Sequence, residues 1–251
     1  MLEAREVTKV FDGHRAVNGV SFTVGRGSIT GLIGPNGAGK TTLFNCLAGA
    51  LRPSGGQVLL DGTRIDGARP DRVFAAGMAR TFQIPRPFAQ MSVLENVMLA
   101  PRGQQGERFW ANWLPGGAVA REERGLREVA MQWLDFVGLA ALAAQPAAVL
   151  SGGQRKLLEL ARVMADGPKI VLLDEPGAGV APVLLQKIVG LIAQLNRSGT
   201  TFLIIEHNMD LIATLCQPVM VMAEGRLLAQ GRADDVLRDP RVVEAYLGAA
   251  A

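Results

Sequence analysis

Residues 29–42 read ITGLIGPNGAGKTT and decide the fold. The run Ile29–Ile33 does not alternate between apolar and charged or strongly polar residues, which is typical of a strand buried on both faces of a parallel sheet. Gly34–Thr41 follows at once and fits the pattern G-x-x-x-x-G-K-[ST], and a helical pattern of apolar residues begins after it. A strand, a glycine-rich loop and a helix in this order predict a loop that binds a polyphosphate.

The residue types in this loop suit a triphosphate. Glycines allow consecutive backbone N–H groups to point at phosphate oxygens, and the positive end of the following helix dipole lies beneath them. Lys40 is expected to reach the outer phosphates, and the Thr41 hydroxyl is expected to ligate Mg²⁺. A chance match to this pattern arises in about one chain in a hundred of this size, and the strand–loop–helix setting weakens chance further as an explanation.

Composition limits the remaining possibilities. The chain has 251 residues, of which 49% are hydrophobic and 20% charged, which suffices for a packed core and excludes intrinsic disorder. The longest apolar stretch, near residues 136–144, is too short for a transmembrane helix, and residues 1–6 have no signal-peptide pattern. Cys46 and Cys216 lie far apart, so no disulfide is expected. The net charge of +3 is too small to indicate a nucleic-acid partner.

The rest of the chain predicts an α/β fold. Short continuous apolar runs alternate with helical patterns, which is typical of a parallel sheet covered on both faces. Shorter segments punctuated by turns suit antiparallel strands at an edge. The further buried strands are expected at residues 170–173 and 202–205, and the edge strands at 20–24, 57–60 and 226–230.

A helical region interrupts this pattern after about residue 85. Long helices are expected at 122–139 and 151–165, and another at 184–195 is expected to end before Gly199. The simplest account is a helical lobe inserted into an α/β core. The expected architecture is one domain, residues 1–251, with a core at 1–85 and 166–230, a helical subdomain at 86–165 and a C-terminal tail at 231–251.

Polar side chains follow two of the predicted strands at the point where each strand ends. Asp174 and Glu175 follow the strand at 170–173, and His207 comes shortly after the strand at 202–205. Ligands of open parallel sheets bind outside these carboxyl ends. Asp174 is therefore a candidate carboxylate for Mg²⁺, and Glu175 is a candidate base for an attacking water. His207 is a candidate for contacting the γ-phosphate or that water.

Three further segments are ambiguous when taken alone. Gln83 follows a short predicted strand, where its amide could sense Mg²⁺ or water. Residues 150–154 read LSGGQ, which is either an ordinary capped helix start or a second anion-binding helix start. An aromatic cluster at 109–114 is either packing within the helical lobe, which we favour, or a contact with a membrane partner or lipid headgroups.

The order of these motifs resembles that of ATP-binding-cassette (ABC) ATPases. The phosphate loop, Gln83, LSGGQ, the pair Asp174–Glu175 and His207 follow one another across nearly the whole chain. The resemblance implies a P-loop NTPase core of the RecA-like type, with ATP and Mg²⁺ as cofactors. It also implies that two cassettes pack head to tail, so that the LSGGQ segment of one caps the ATP held by the phosphate loop of the other.

The resemblance further implies a role for each matching residue. Glu175 is expected to be the catalytic base and His207 the switch histidine, and Lys40 completes the expected catalytic set. The implied Mg²⁺ contacts are Thr41, Gln83 and Asp174. Phe11 is expected to stack on adenine, and the implied nucleotide-binding residues are Phe11, Asn36, Gly37, Ala38, Gly39, Lys40, Thr41, Thr42, Gln83 and, from the other cassette, Ser151, Gly153 and Gln154.

Finer segments are similar to the ATPases of branched-chain amino acid importers. The similarity implies an ATP-hydrolysing subunit that works with transmembrane permeases and, indirectly, with a solute-binding protein. It implies a homodimer, or a heterodimer with a related ATPase, at the cytoplasmic face of the membrane. Related importers carry other amino acids, amides or urea, which remain alternative cargoes. The segments that carry the similarity are residues 77–83, 91–97, 206–210 and 245–248.

The chain departs from the family pattern at one position. The family usually has Asp or Asn, which links the two nucleotide sites, where this chain has Ala181. Hydrolysis is still expected, because Lys40, Glu175 and His207 are all present.

A DNA-associated ABC ATPase would carry a coiled-coil or zinc-bearing insertion, and a translation-associated one would need two cassettes. A non-enzymatic nucleotide sensor would bind ATP without turnover, and no nucleic-acid partner is expected.

Overall fold

The computed structural model describes residues 1–81, 86–104 and 118–248. The chain divides into two compact units. We call residues 1–83, 168–178 and 185–251 the core unit, and residues 84–167 and 179–184 the helical unit.

Ten strands occur among the described residues, and all of them lie in the core unit. In chain order they are β1 (Leu2–Phe11), β2 (His14–Val24), β3 (Ile29–Ile33), β4 (Gly55–Leu60), β5 (Thr63–Arg64), β6 (Met78–Arg80), β7 (Ile170–Asp174), β8 (Thr201–Ile205), β9 (Val219–Ala223) and β10 (Arg226–Gly231). They form a four-stranded sheet in the order β2-β1-β4-β5 and a six-stranded sheet in the order β10-β9-β3-β8-β7-β6.

The six-stranded sheet is parallel except for β10, which pairs with β9 in the antiparallel sense. Every residue of β3, β7 and β8 is buried, as their continuous apolar sequences predict. These three strands are neighbours, so their carboxyl ends lie at one edge of the sheet. That edge carries the phosphate loop after β3, Asp174 at the end of β7 and His207 after β8.

The three antiparallel strands expected at sheet edges are longer than predicted, and the prediction of an edge was wrong for β4, because β4 lies between β1 and β5. The segments expected at 20–24, 57–60 and 226–230 belong to the longer antiparallel strands β2, β4 and β10. Sequence reasoning did not identify β1, β5 or β9. In β1 the pairing with β2 shifts register between Ala4 and Val7, and Glu6 between them has φ +50°. This irregularity breaks the alternation of apolar and polar residues that indicates a strand.

Nine α-helices occur among the described residues. The helices expected at 122–139, 151–165 and 184–195 correspond to α4, α5 and α6, with ends shifted by one to four residues. No helix in the described ranges is both long and apolar enough to cross a membrane. The nine helices are α1 (Lys40–Leu47), α2 (Pro70–Ala75), α3 (Val93–Met98), α4 (Ala118–Val137), α5 (Gly152–Met164), α6 (Pro182–Arg197), α7 (Met209–Leu215), α8 (Ala233–Leu237) and α9 (Pro240–Gly248).

The helical unit is built from α3, α4 and α5, which pack on one another. Val97 of α3, Leu134 of α4 and Leu158 of α5 are completely buried. Within residues 86–104 and 118–167 the only β pairing is an isolated bridge between Ser92 and Pro146. This region is therefore helical where it is described, as its sequence periodicity predicts.

Candidate active site

The phosphate loop connects β3 to α1, and two of its glycines are required by geometry. Gly34 and Gly39 have φ of +150° and +95°. A Cβ on Gly34 would lie 2.1 Å from the Met222 carbonyl oxygen, and one on Gly39 would lie 2.2 Å from that of Ala16. Only glycine fits these positions without a backbone shift. Gly39 precedes α1 without a side-chain cap, so no capping side chain competes with a ligand for the first N–H groups of the helix.

The Lys40 side chain lies inside this loop. Its Nζ donates to the carbonyl oxygens of Gly34 at 2.8 Å and Pro35 at 2.9 Å, and the residue is only 6% exposed. Burial lowers the pKa of the ammonium group, and the nearby carboxylates of Glu175 and Asp174 oppose that shift. The cation therefore lies near both predicted carboxylates, and carbonyl oxygens hold it where phosphate oxygens can replace them.

The other predicted residues of the loop differ in what they present. Asn36, Gly37 and Thr41 are exposed, and Thr42 is half-buried. Ala38 is buried, and its carbonyl oxygen accepts a hydrogen bond of 3.1 Å from the turn between β9 and β10. Ala38 therefore anchors the loop, whereas its neighbours offer backbone and side-chain groups to a ligand.

Asp174 is held by a cation that sequence reasoning missed. Arg80, at the end of β6, donates from Nη2 to Asp174 Oδ2 at 2.9 Å and from Nη1 to Asn45 Oδ1 at 2.5 Å. Asn45 lies on α1, one turn beyond Thr41, so one guanidinium group connects β7 to the helix that follows the phosphate loop. The described residues donate no hydrogen bond to Asp174 Oδ1. The position of Arg80 at the end of a short predicted strand was the only feature of the sequence that could have suggested its pairing with Asp174.

Glu175 and His207 meet at the same edge of the sheet. Glu175 Oε1 lies 3.1 Å from His207 Nε2. Glu175 has φ +49°, a conformation that strains a residue with a Cβ and is often found at functional sites. Its N–H donates to the carbonyl oxygen of Ile205 at 2.9 Å, which ties it to the end of β8. The side chain of Glu175 is 18% exposed and that of His207 is 42% exposed, so both can reach a ligand or a water.

Phe11 ends β1 and is 41% exposed. Lys9 Nζ lies 5.0 Å from the centroid of its ring, and Phe11 pairs with His14 across the turn into β2. β2 lies against the phosphate loop, because the carbonyl oxygen of Ala16 would be only 2.2 Å from a Cβ on Gly39. An exposed aromatic ring a few residues from the loop suits stacking on a base.

The LSGGQ segment begins α5 in the helical unit and forms a capping box. Ser151 Oγ accepts a hydrogen bond from Gln154 N at 3.3 Å, and Gln154 Oε1 accepts one from Ser151 N at 2.9 Å. A Cβ on Gly153 would lie 2.1 Å from Leu184 Cδ2. Each of the two side chains expected to contact a nucleotide in trans therefore accepts a hydrogen bond from the backbone N–H of the other residue. Gln83 and the aromatic cluster at 109–114 lie outside the described residues.

The oxygen donors beside the phosphate loop fit Mg²⁺. Thr41 offers a hydroxyl oxygen at the start of α1, and Asp174 offers Oδ1. Mg²⁺ in nucleotide sites usually takes one or two protein oxygens and completes its shell with phosphates and waters. Within residues 1–81, 86–104 and 118–248, no group of three or more His, Cys, Asp or Glu side chains could hold a metal ion. The donor set therefore suits a metal shared with a phosphate ligand.

The comparisons with known proteins agree with this geometry. A family model described as "ABC transporter" matches residues 17–178. The chain belongs to the ABC transporter ATPase family. A second model, described as "Branched-chain amino acid ATP-binding cassette transporter", matches residues 226–251 of this ABC ATPase. Nucleotide binding, which the sequence predicts, is thereby confirmed at the level of the family.

Relatives match this ABC ATPase over almost their full length. The chain is 42% identical over 249 residues to a probable branched-chain amino acid transport ATP-binding protein, LivG, of Archaeoglobus fulgidus, and the match covers 99% of this chain and 96% of the relative. It is 39% identical over 251 residues to the high-affinity branched-chain amino acid transport ATP-binding protein BraF of Pseudomonas aeruginosa, covering 100% and 98%. A nucleotide-free ATP-binding cassette from an ABC transporter has a TM-score of 0.84 and 36% identity over 98% of both chains. The predicted fold class is confirmed.

Proposed function

We propose that this ABC ATPase hydrolyses ATP to drive the import of branched-chain amino acids through partner permeases. The observation that carries the proposal is the grouping of Lys40, Glu175 and His207 at one edge of the sheet, beside an uncapped helix start. The names of the LivG and BraF relatives and the match at residues 226–251 support the cargo.

The chain's own residues account for the main steps of hydrolysis. Lys40 exchanges the carbonyl oxygens of Gly34 and Pro35 for phosphate oxygens when the nucleotide binds. The loop N–H groups and the dipole of α1 add positive potential where negative charge develops in the transition state. Glu175 accepts the proton of the attacking water, and His207, 3.1 Å away, orients that water or contacts the γ-phosphate.

We propose that Thr41, Asp174 and Gln83 hold Mg²⁺ with the nucleotide. When bound, the ion neutralises charge on the outer phosphates and orients them. Arg80 fixes Asp174 through Oδ2, which would leave Oδ1 for the metal. The Thr41 hydroxyl is exposed at the first turn of α1, where it can reach an ion placed on the phosphates.

A second cassette is proposed to complete the site. Ser151, Gly153 and Gln154 of that cassette would contact the γ-phosphate, while Phe11 stacks on the adenine. In the capping box Ser151 Oγ accepts a hydrogen bond, so its own proton is available for a phosphate oxygen. The second cassette is either another copy of this chain or a related ATPase.

The proposed division of labour follows the chain. The core at 1–85 and 166–230 binds and hydrolyses ATP, and the helical subdomain at 86–165 couples hydrolysis to the permeases. In the tail at 231–251, the helices α8 and α9 contact β10 of the core. The permeases hold the protein at the cytoplasmic face of the membrane, and a solute-binding protein acts with them indirectly.

The variant Glu175→Gln tests the proposal. It should bind ATP normally and remain dimeric with ATP bound, but hydrolyse it on the order of a hundredfold or more slowly, because the amide cannot accept the proton. Phosphate release and gel filtration with ATP measure both effects, and Glu3→Gln, on the distant strand β1, should behave as wild type. Normal turnover by Glu175→Gln would remove Glu175 from the role of base.

A separate experiment tests the cargo. Co-purification from native membranes should recover permeases and a solute-binding protein that binds branched-chain amino acids. A binding protein for an amide or urea would replace the cargo and leave the ATPase proposal intact.

A further inference from the structure

Glu206 is a buried carboxylate at the end of β8 that the proposed mechanism does not use. It is 3% exposed. Its Oε1 accepts a hydrogen bond from Gly177 N at 2.6 Å, and its Oε2 accepts bonds from His207 N at 2.8 Å and Asn208 N at 3.1 Å. Burying an ionised carboxylate is costly unless hydrogen bonds replace its hydration, and three backbone N–H donors supply that replacement here.

These bonds join two loops from different strands. Gly177 lies two residues after Glu175 in the loop that follows β7, whereas His207 and Asn208 follow β8. Asn208 also caps α7, because its Oδ1 accepts a hydrogen bond from Leu211 N at 3.0 Å. One carboxylate therefore fixes the main chain on both sides of the 3.1 Å contact between Glu175 Oε1 and His207 Nε2.

The approach of the two loops leaves no room for a larger residue. A Cβ on Gly177 would lie 2.6 Å from Glu206 Oε1 and 3.0 Å from Leu185 Cδ1. The carboxylate cannot retreat from such a Cβ without losing its bonds to the backbone. The hydrogen bond from Gly177 N to Glu206 Oε1 thus requires a glycine at position 177 and a side chain as long as glutamate at position 206.

We propose that Glu206 is a positioning residue for ATP hydrolysis. It sets the placement of His207 relative to Glu175 through their main chains and touches neither nucleotide nor water. The inference rests on the proposed function, because it requires Glu175 and His207 to act on ATP.

The variant Glu206→Gln tests this inference with an isosteric side chain. An amide has one acceptor oxygen and one NH₂ donor. The backbone N–H groups of one of the two loops would therefore face the NH₂ group, lose their hydrogen bonds and move away. Misplacement of catalytic groups by about 1 Å costs up to a hundredfold in rate. We expect kcat to fall about tenfold or more, while KM and the affinity for ATP stay within about twofold of wild type, because the phosphate loop is unchanged.

The background His207→Ala separates positioning from general damage. If Glu206 acts through His207, Glu206→Gln should slow the wild type but add nothing to His207→Ala. Glu206→Asp keeps the charge but is one methylene shorter, so it should also slow hydrolysis. Equal slowing by Glu206→Gln in both backgrounds, or full activity of Glu206→Asp, would overturn the inference.

Asp66→Asn is the matched control. Asp66 Oδ1 also accepts a backbone hydrogen bond, from Val58 N at 3.1 Å, but it lies beside the four-stranded sheet. Its substitution should lower the melting temperature without changing kcat. A Glu206→Gln protein that loses ATP affinity and melting temperature together would show a purely structural role. If wild type hydrolyses ATP and Glu206→Gln has the same kcat, this inference alone fails; if wild type does not hydrolyse ATP, the proposed function fails.

Discussion

The two helix starts that carry the nucleotide motifs are built in opposite ways. α1 begins after Gly39 with no side-chain cap, whereas α5 begins after Ser151 with a complete capping box, and neither has an acidic residue in its first turn. An uncapped start leaves backbone N–H groups for an anion, whereas a capped start satisfies some of them internally. The first N–H groups of α1 therefore depend on a ligand, whereas those of α5 are partly satisfied by its own side chains.

The placement of positive charge reinforces this difference. The first residue of α1 is Lys40, whose ammonium group is buried and bound by carbonyl oxygens of its own loop. The first residue of α5 is Gly152, which carries no charge. The strongest attraction for a triphosphate therefore lies at α1, and we expect α5 to contribute only after the nucleotide has bound there.

The largest effect is expected from Lys40→Ala. Removing one preorganised donor to transition-state charge typically lowers kcat by about a hundredfold to a thousandfold, and we expect a loss of that order in ATP hydrolysis. Lys187→Ala, which removes an exposed lysine from α6, is the control and should keep wild-type turnover. Phosphate release at saturating ATP measures the effect, and normal turnover by Lys40→Ala would show that α1 is not the catalytic helix start.

Substitutions of Gly39 and Gly153, the glycines at the two helix starts, should differ in whether a second substitution can restore the lost stability. Gly39→Ala combines φ +95° with a contact to the backbone of Ala16, so we expect a loss of about 2–4 kcal/mol in the free energy of unfolding. Gly153→Ala clashes only with the Leu184 side chain, for which overpacking predicts about 1–3 kcal/mol.

The second change Leu184→Ala provides the rescue test. It should relieve much of the Gly153→Ala clash, and it should add to the loss in Gly39→Ala without relieving it. Urea unfolding of the single and double variants measures this coupling. Rescue of Gly39→Ala by Leu184→Ala, or no coupling between positions 153 and 184, would contradict the structure.

The smallest effect is expected from Ser151→Ala. Loss of an N-terminal cap costs about 1 kcal/mol, and the variant should show that loss in the free energy of unfolding. The Gln154 side chain keeps its own hydrogen bond, because its partner is the backbone N–H of residue 151, so Gln154→Ala in the same background should cost about what it does in wild type. An unchanged free energy of unfolding in both single variants would show that the capping box contributes nothing to stability.

The sequence predicted most of the fold around α1 because the signals there are local. The apolar runs of β3, β7 and β8, the glycine loop and the Ser-x-x-Gln cap each need only a few consecutive residues. The missed strand β1 contains a residue at positive φ and a register shift, and such irregularities carry no periodic signal.

The contacts between distant residues could not be predicted. Arg80 meets Asp174 across 94 positions of sequence, and Glu206 meets Gly177 across 29. Each pairing depends on which strands are neighbours in the sheet, and strand order is not written in any single segment. Motifs therefore identified Asp174 and His207 as candidates, but not the side chains that hold them in place.

Equilibrium binding of ATP to the isolated chain tests most directly whether α1, and not α5, is the primary nucleotide site. The binding of ATP to wild type, Lys40→Ala and Ser151→Ala can be compared by calorimetry at concentrations where the chain is monomeric. We expect Lys40→Ala to weaken binding about tenfold or more, corresponding to about 1.4 kcal/mol or more, and Ser151→Ala to bind as wild type does. Equal weakening in both variants, or weakening in Ser151→Ala alone, would contradict the account.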